Sequence, residues 1–352
     1  MCLPGATTRG RPYAQIMTSR SKQIAKLLIR FLVTTGLLVW VFSQIDLKQF
    51  WQAIREAKWP YLIGVWVLTA VLFWIRSMKM QFVLKKQSCH IDANTLFGAT
   101  TITALYSMIL PGILSTGVKW YILKKSSGKG SHVLSSMIYN QFSTMVLMTA
   151  FGLLAIIISN PTPLLFPNAT YQWLLPVICG ILLIALLLFV SLLLHHRHGS
   201  RIINILKIPL NPLPAGIQQK GREILDQIAG FQTAGWRFHL MVALITFIDT
   251  LVGGVVTYIL AARTANIDAP TLIFVWLCTG IYIIGRLPIT VANLGVREVS
   301  LVGFLAMYNV EKPAALLMAM VLFSALVAMA MIGAIYQISW GITGKKLNSP
   351  PD

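Results

Sequence analysis

The sequence predicts an all-α polytopic membrane protein with six full spans and two broken, re-entrant helical hairpins of opposite orientation, arranged like an inverted repeat. Three observations predict this fold. The 352 residues are 56% hydrophobic and only 11% charged, with a mean hydropathy of +0.73. This composition excludes an ordinary soluble domain. Long apolar runs recur along the chain, and two further apolar regions are interrupted by proline and glycine.

The full spans are predicted from apolar runs of about 20 residues, the length that crosses a hydrocarbon core of ~30 Å. They lie near 24–43, 60–84, 131–158, 173–194, 237–262 and 313–342. A single transmembrane domain is therefore expected over 21–345, between a disordered basic tail at 1–20 and a cytoplasmic tail at 346–352.

The distribution of basic residues orients these spans. The segments predicted to be cytoplasmic hold 22 Lys and Arg, whereas the external segments hold 5. This bias predicts that both termini are cytoplasmic, and the expected location is a bacterial plasma (inner) membrane. The net charge of +19 is then explained by basic loops that contact anionic lipids, so no nucleic-acid partner is expected. The cytoplasmic segments are 1–30, 76–92, 119–129, 195–237 and 345–352.

Two segments have the apolar spacing of amphipathic helices that lie on a membrane surface. They are Asp46–Lys58 on the predicted outer side and Ile217–Phe231 on the predicted inner side. A solvated loop helix is the alternative for each. The four cysteines are isolated, and neither a metal site nor a cofactor is expected.

The two broken regions, 95–123 and 270–309, share a pattern. Each contains Leu-Pro, a short polar break, and Gly-Val followed by a basic residue, after a first arm of sixteen residues and before a much shorter second arm. Three spans separate the two regions, which inverts the second region relative to the first. Short arms favour re-entrant hairpins whose tips meet near the midplane. Two full crossings are the alternative.

These tips have the features of an anion-binding site. Pro111 and Pro288 end the first arms, because proline lacks a backbone donor. Gly117 and Gly295 permit unusual dihedral angles and close approach of the backbone. The second arms are then expected to begin with free N–H groups and a positive dipole end, which suits a phosphate. Asn293 belongs to the same polar break.

Charged residues in these regions mark a function, because charges at membrane depth cost about 2.5–3.5 kcal/mol each on insertion scales. Lys119, Arg286 and Arg297 add positive charge for a phosphate or phosphodiester. Glu298 is expected to pair with Arg286 or Arg297, or to receive a proton. Asp249 is a second buried acid, either a packing carboxylate or a coupling or substrate residue.

The segment RLPITVANLGVRE, residues 286–298, resembles a signature of the flippase-like transmembrane family that contains the membrane region of lysylphosphatidylglycerol synthases. LPGILSTGVKWYIL, residues 110–123, is similar to an earlier motif of that family. The resemblance covers roughly 20–342 and matches Gly295, Arg297 and Glu298 directly.

Three departures from the family pattern lower the charge expected in the cavity. Lys119 stands where the family commonly has Arg. Ser115 and Thr116 replace a common Gly-Gly or Gly-Glu. Asn140 and Gln141 stand where many members have Glu-Arg.

The resemblance implies a role with amphiphilic lipids. Some members of the family carry a cytosolic aminoacyl-transferase domain, which is absent from this sequence, and others are associated with polyprenyl-linked sugars. The leading hypothesis is a flippase-like lipid transporter, not an enzyme, whose partner is a membrane phospholipid or a polyprenyl-phosphate lipid. The alternative is a membrane enzyme or accessory subunit that acts on a polyprenyl-phosphate sugar, with Glu298 or Asp249 as the base. A third hypothesis is a structural partner of a glycosyltransferase.

Overall fold

The structure is a computed structural model, and it describes residues 47–108, 110, 112–165, 172–194, 199, 204, 207–211, 214–285 and 294–342. Within these ranges the regular secondary structure is helical, and no strand occurs. The all-α class predicted from the sequence is therefore confirmed. The predicted first span at 24–43 and the two terminal tails lie outside the described residues.

The helices of nine or more residues in the described ranges are numbered in chain order. They are α1 (Leu47–Arg55), α2 (Trp59–Lys86), α3 (Ala93–Ser107), α4 (Gly112–Ser127), α5 (Gly130–Ser159), α6 (Leu174–Leu194), α7 (Ala215–Gly230), α8 (Trp236–Thr246), α9 (Gly253–Thr264), α10 (Thr271–Ile284), α11 (Val296–Ala306) and α12 (Lys312–Ile342).

Five helical segments are long and apolar enough to cross a membrane. They correspond to five of the six spans predicted from hydropathy. The fourth of them joins α8 to α9 through a π-helical turn at Phe247–Val252. The segments are Trp59–Lys86, Gly130–Ser159, Leu174–Leu193, Trp236–Thr264 and Lys312–Ile342.

Two shorter helices coincide with the predicted amphipathic segments. These are α1 and α7. The end of α1 is tied to the end of α9, because the backbone N–H of Lys58 donates to the Thr264 carbonyl at 3.1 Å and the Asn266 amide donates to the Glu56 carbonyl at 2.8 Å. The predicted cap residue of α1, Asp46, lies outside the described residues.

The first broken region forms two helices, α3 and α4, that pack against each other. The Asp92 carboxylate caps the start of α3 by accepting the Asn94 N–H at 3.0 Å. The second arm was predicted to be much shorter than the first, and this is wrong: α4 has 16 residues and α3 has 15. At ~1.5 Å per residue, each is about 22–24 Å long.

The second broken region forms α10 and α11, with 14 and 11 residues. Here the second arm is the shorter one, as predicted. The two broken regions therefore differ in the length of their second arms, which weakens the predicted internal repeat.

Helix α12 lies at the centre of the bundle, in contact with α1, α2, α3, α9 and α11. Small residues allow its close approach to α3, since a Cβ built on Gly333 would lie 2.2 Å from the Thr101 carbonyl oxygen. In contrast to the central α12, α6 is strongly apolar and most of its residues are exposed. That surface suits contact with lipid tails.

Candidate functional site

A cavity of about 220 Å³ lies inside the bundle. Its wall comes from six helices, α2, α5, α9, α10, α11 and α12, together with Thr250 of the π-helical turn. Most of the lining is apolar, but Arg76 and Arg297 enter it from two different helices, and Tyr258 and Tyr282 add hydroxyl groups. The cavity therefore combines an apolar wall with two guanidinium groups.

Arg76 is held in the cavity wall by Asp249. The Arg76 Nε lies 3.0 Å from Asp249 Oδ1 and 3.2 Å from Oδ2. Asp249 is 1% exposed, whereas the Arg76 side chain is 40% exposed. Thr250 also donates to Asp249, at 3.0 Å. The two terminal nitrogens of Arg76 have no hydrogen-bond partner in the described part of the chain, so they are available to an anion.

Asp249 owes its position to the π-helical turn Phe247–Val252. A π-helical turn inserts an extra residue into an α-helix and changes the direction of its side chains, and such turns are frequent at functional sites. The turn places Thr250 in the cavity wall and Asp249 beside Arg76. Asp249 was predicted as a packing carboxylate or a coupling residue, and its contact is an ion pair with Arg76.

Gly295 precedes α11 with a φ of +84° and a ψ of −55°. Residues other than glycine rarely adopt this conformation. The unusual dihedral angles predicted for Gly295 are therefore confirmed. Glu298 folds back over this position, and its Oε2 accepts the Gly295 N–H at 2.7 Å. Because glycine has no side chain to make the reciprocal bond, only half of a capping box is formed.

Glu298 was expected to pair with Arg286 or Arg297, or to receive a proton, and in the structure it forms an ion pair with Arg297. Arg297 Nη2 lies 2.5 Å from Glu298 Oε1, and the two side chains are 11% and 5% exposed. Arg297 also stacks over the Phe323 ring. The start of α11 was expected to offer free N–H groups to an anion. One of these groups, the Gly295 N–H, is bound by the Glu298 carboxylate of the protein itself.

Lys119 and Gly117 do not lie at the start of their helix. Both are inside α4, which begins at Gly112. A Cβ added to Gly117 would have open space around it, and its φ is not positive. The prediction that Gly117 provides unusual dihedral angles and close approach of the backbone is therefore wrong. The two Gly-Val-basic motifs have different structures, since one begins a helix and the other lies within one.

A second cation of α2 is buried in the bundle near Arg76. Lys79 is 2% exposed and donates to the hydroxyl oxygens of Thr144 at 2.9 Å and Thr246 at 3.3 Å. Lys79 is therefore held between α5 and α8, one helical turn after Arg76.

Arg76 and Lys79 were missed as site residues. The predicted span 60–84 included them, but the charge count assigned both to the cytoplasmic segment 76–92. In the structure they lie within α2, which continues to Lys86. Four of the predicted site residues lie outside the described residues: Pro111, Arg286, Pro288 and Asn293.

A larger depression of about 610 Å³ lies elsewhere, between α1, the loop after α9 and the start of α12. Its carboxylates Glu56, Asp268 and Glu311 belong to exposed residues. The smaller cavity is the better candidate because its charges are held inside the bundle. The described residues contain no group of three or more His, Cys, Asp or Glu that could hold a metal ion.

Comparison with known proteins identifies the family. The family described as "Lysylphosphatidylglycerol synthase TM region" matches residues 27–334. No curated protein and no solved structure matches the chain. The family match includes the whole cavity, from Thr69 to Leu326. The chain therefore belongs to the lysylphosphatidylglycerol synthase transmembrane-region family.

Proposed function

We propose that the protein is a flippase-like lipid transporter that binds the head group of an anionic lipid in the cavity between Arg76 and Arg297. One observation carries the proposal, namely a cavity inside an apolar bundle that is lined by two guanidinium groups from different helices. Charged residues inside a membrane bundle are costly and mark substrate pathways. The partner is a membrane phospholipid or a polyprenyl-phosphate lipid.

The chemistry of the cavity favours an anion such as a phosphate over a neutral sugar. Arginine presents several N–H donors in a planar arrangement that suits phosphate oxygens. The Arg76 Nε is used by Asp249, which fixes the guanidinium and leaves its terminal nitrogens for the ligand. The tyrosine hydroxyls of Tyr258 and Tyr282 add polar groups at the same wall.

The size of the cavity supports a head group and excludes a whole lipid. Its volume is about 220 Å³, below the ~300–1,000 Å³ of pockets that enclose drug-sized molecules. The acyl or prenyl chains would therefore remain in the bilayer while the head group enters the bundle. A lipid transporter must bind the head group while the chains stay in the bilayer, whereas a carrier of soluble substrates has no such requirement.

The transport route uses the two broken regions. We propose that α3–α4 and α10–α11 enter from opposite sides of the membrane, and that their movement exposes the cavity to each leaflet in turn. The protein would reside in a bacterial plasma membrane, with both termini in the cytoplasm. Transport rather than catalysis is proposed, and Asp249 would couple it through its pair with Arg76.

Reconstitution in vesicles tests the proposal. The purified protein is placed in vesicles that contain a head-group-labelled anionic phospholipid, and leaflet exchange is followed by quenching of the outer label. We expect exchange with the wild type, a large loss with Arg297→Ala, and no loss with Arg263→Gln, whose side chain is 54% exposed. A covalently changed lipid would support the enzyme alternative, and equal exchange in all three proteins would contradict the site.

The proposed orientation has its own test. Cysteine is introduced in a cysteine-free background at Lys125, which is exposed in α4, or at Asp268, which is exposed after α9. A membrane-impermeant maleimide added to intact cells should label the cysteine at 268. The cysteine at 125 should react only after the cells are opened. The reverse pattern would contradict the cytoplasmic placement of the termini.

A further inference from the structure

The cavity wall contains two guanidinium groups and no carboxylate among the described residues that line it. Arg76 and Arg297 are its charged residues. The acids that pair with them, Asp249 and Glu298, lie outside the lining. A head group that enters the cavity therefore meets positive charge, and an ammonium group on that head group finds no carboxylate in the described wall.

Both of these carboxylates are already engaged by the protein. Asp249 Oδ1 accepts from Arg76 Nε at 3.0 Å, and Oδ2 accepts from the Thr250 hydroxyl at 3.0 Å. Glu298 Oε1 accepts from Arg297 Nη2 at 2.5 Å, and Oε2 accepts a backbone N–H at 2.7 Å. Each of the four oxygens has a donor, so turning either carboxylate toward an amine would break one of these contacts.

The other acids of the described chain lie away from the cavity. The sequence contains ten Asp and Glu, of which Asp46 and Asp352 lie outside the described residues. The segment 286–293, which also lies outside them and joins α10 to α11, contains no acid. The remaining six acids are exposed and do not line the cavity: Glu56, Asp92, Glu223, Asp226, Asp268 and Glu311.

The hydroxyl groups of the cavity wall suit an uncharged polar ligand group. Thr69 donates to the Val65 carbonyl at 2.7 Å, and Thr257 donates to the Gly253 carbonyl at 2.7 Å. Because each threonine has used its proton, its oxygen can accept from a hydroxyl of the ligand. The Tyr258 hydroxyl has no hydrogen-bond partner in the described part of the chain, so it can donate to a ligand oxygen.

An ammonium group in the same cavity would be unfavourable. A charge removed from water is costly unless it is paired, and like charges repel more strongly in a low-dielectric interior than in water. Threonine oxygens can accept hydrogen bonds from an ammonium group, but they do not neutralise its charge. The ammonium would also compete with Arg76 and Arg297 for the phosphate of its own head group.

We propose that the cavity selects a phosphate head group whose remaining part is uncharged and hydroxylated, such as glycerol, and excludes head groups that carry an ammonium group. The inference rests on the proposed function, because it names the class of anionic lipid that the cavity takes. It goes beyond net charge, since an anionic head group that contains an amine is excluded as well.

Native mass spectrometry of the full chain in detergent tests this selectivity. The protein is mixed with equal amounts of phosphatidylglycerol, phosphatidylserine and phosphatidylethanolamine that have identical acyl chains. Phosphatidylserine separates the inference from net charge, because it carries an ammonium group but has the same net charge as phosphatidylglycerol. We expect phosphatidylglycerol to be retained at least about tenfold better than either amine-bearing lipid, a ratio that corresponds to ~1.4 kcal/mol.

A separate arm distinguishes a lipid from a soluble phosphodiester. Glycerophosphoglycerol, the deacylated form of phosphatidylglycerol, is added to the complex with phosphatidylglycerol. Displacement of the lipid supports a site that recognises the head group alone. No displacement supports a site that also requires the acyl chains.

Thr257→Asp tests the missing carboxylate as the cause of the exclusion. It adds an acid to the cavity wall and should bring the retention of both amine-bearing lipids toward that of phosphatidylglycerol. Thr233→Asp is the matched control, because Thr233 is exposed and lies in a short helical turn before α8. It should keep the wild-type preference. The wild-type comparison keeps the inference testable where Thr257→Asp does not fold.

The failures of the two proposals are distinguishable. Retention of phosphatidylserine equal to or better than that of phosphatidylglycerol, with phosphatidylethanolamine excluded, overturns the inference and leaves the anionic-lipid site intact. Equal retention of all three lipids, or of none, overturns both proposals. A wild-type preference that survives Thr257→Asp, or that Thr233→Asp also removes, overturns the missing carboxylate as its cause.

Discussion

The Nε of Arg76 in α2 contacts both carboxylate oxygens of Asp249, at 3.0 and 3.2 Å, across 173 residues of sequence. This pair joins the π-helical turn to α2 and fixes a guanidinium at the wall of the cavity. Its position explains why an acid lies within an apolar span, since Asp249 balances one of several cations inside the bundle.

Removing one partner of this pair should destabilise the fold. For Asp249→Asn we expect a loss of about 1–3 kcal/mol. This is less than the ~3–5 kcal/mol of a fully buried pair, because the Arg76 side chain is 40% exposed and exposed ion pairs contribute less to stability. The measurement is the thermal unfolding midpoint in detergent.

The double variant Arg76→Gln with Asp249→Asn is the control for this prediction. The loss of stability in the double variant should be smaller than the sum of the losses in the two single variants, because neither residue is left as an unpaired charge. Asp268→Asn, at an exposed ion pair, should change the midpoint little. Additive losses in the double variant would contradict the pairing.

The two Gly-Val-basic motifs should respond differently to alanine. Gly295→Ala should lower the free energy of unfolding by about 1–3 kcal/mol, because the backbone there has a φ of +84°. Gly117→Ala should raise the free energy of unfolding by about 0.5–1 kcal/mol. It replaces a glycine inside a helix, and the new Cβ has free space around it. Unfolding in detergent measures both, and equal effects would contradict the structural difference between the motifs.

Glu298 should tolerate glutamine better than alanine. Glutamine keeps an oxygen that can accept the Gly295 N–H, which Glu298 binds at 2.7 Å. Both variants remove the carboxylate that pairs with Arg297, but only alanine also removes this cap, at about 0.5–2 kcal/mol. We expect a smaller drop in unfolding midpoint for Glu298→Gln. The same drop for both variants would show that the cap bond contributes nothing.

The packing of α3 on α12 depends on a glycine. In Gly333→Ala the new Cβ would lie 2.2 Å from the Thr101 carbonyl oxygen, so one helix must shift. Overpacking of this kind costs about 1–3 kcal/mol. Gly341→Ala, on the same helix but with open space, is the control and should be neutral in the same unfolding experiment. Equal midpoints for the two variants would contradict the close contact.

The long helices could be predicted from the sequence, because the length and the hydropathy of an apolar run are local properties of the sequence. A local motif was also informative where one residue determines the backbone, as with the unusual dihedral angles of Gly295. The Arg76–Asp249 pair could not be predicted, since 173 residues separate the partners and no local pattern records the contact. The π-helical turn had no signal in the sequence either.

The incorrect predictions have a common physical cause. Similar short motifs were assumed to have similar backbones, yet Gly117 continues a helix that had already begun at Gly112. Charge counting assigned Arg76 and Lys79 to a loop, although hydrogen bonds and an ion pair hold both inside the bundle. Tertiary contacts decided these positions, and neither hydropathy nor charge bias reports such contacts.

Lipid mass spectrometry on the purified protein tests the central claim most directly. The lipids retained by the wild type are compared with those retained by Arg297→Ala, by the double variant Arg76→Gln with Asp249→Asn, and by the exposed control Arg263→Gln. The account predicts an anionic, phosphate-containing lipid in the wild type and the control, and its loss from the two cavity variants. The same lipids in all four proteins would contradict an anionic head group bound between Arg76 and Arg297.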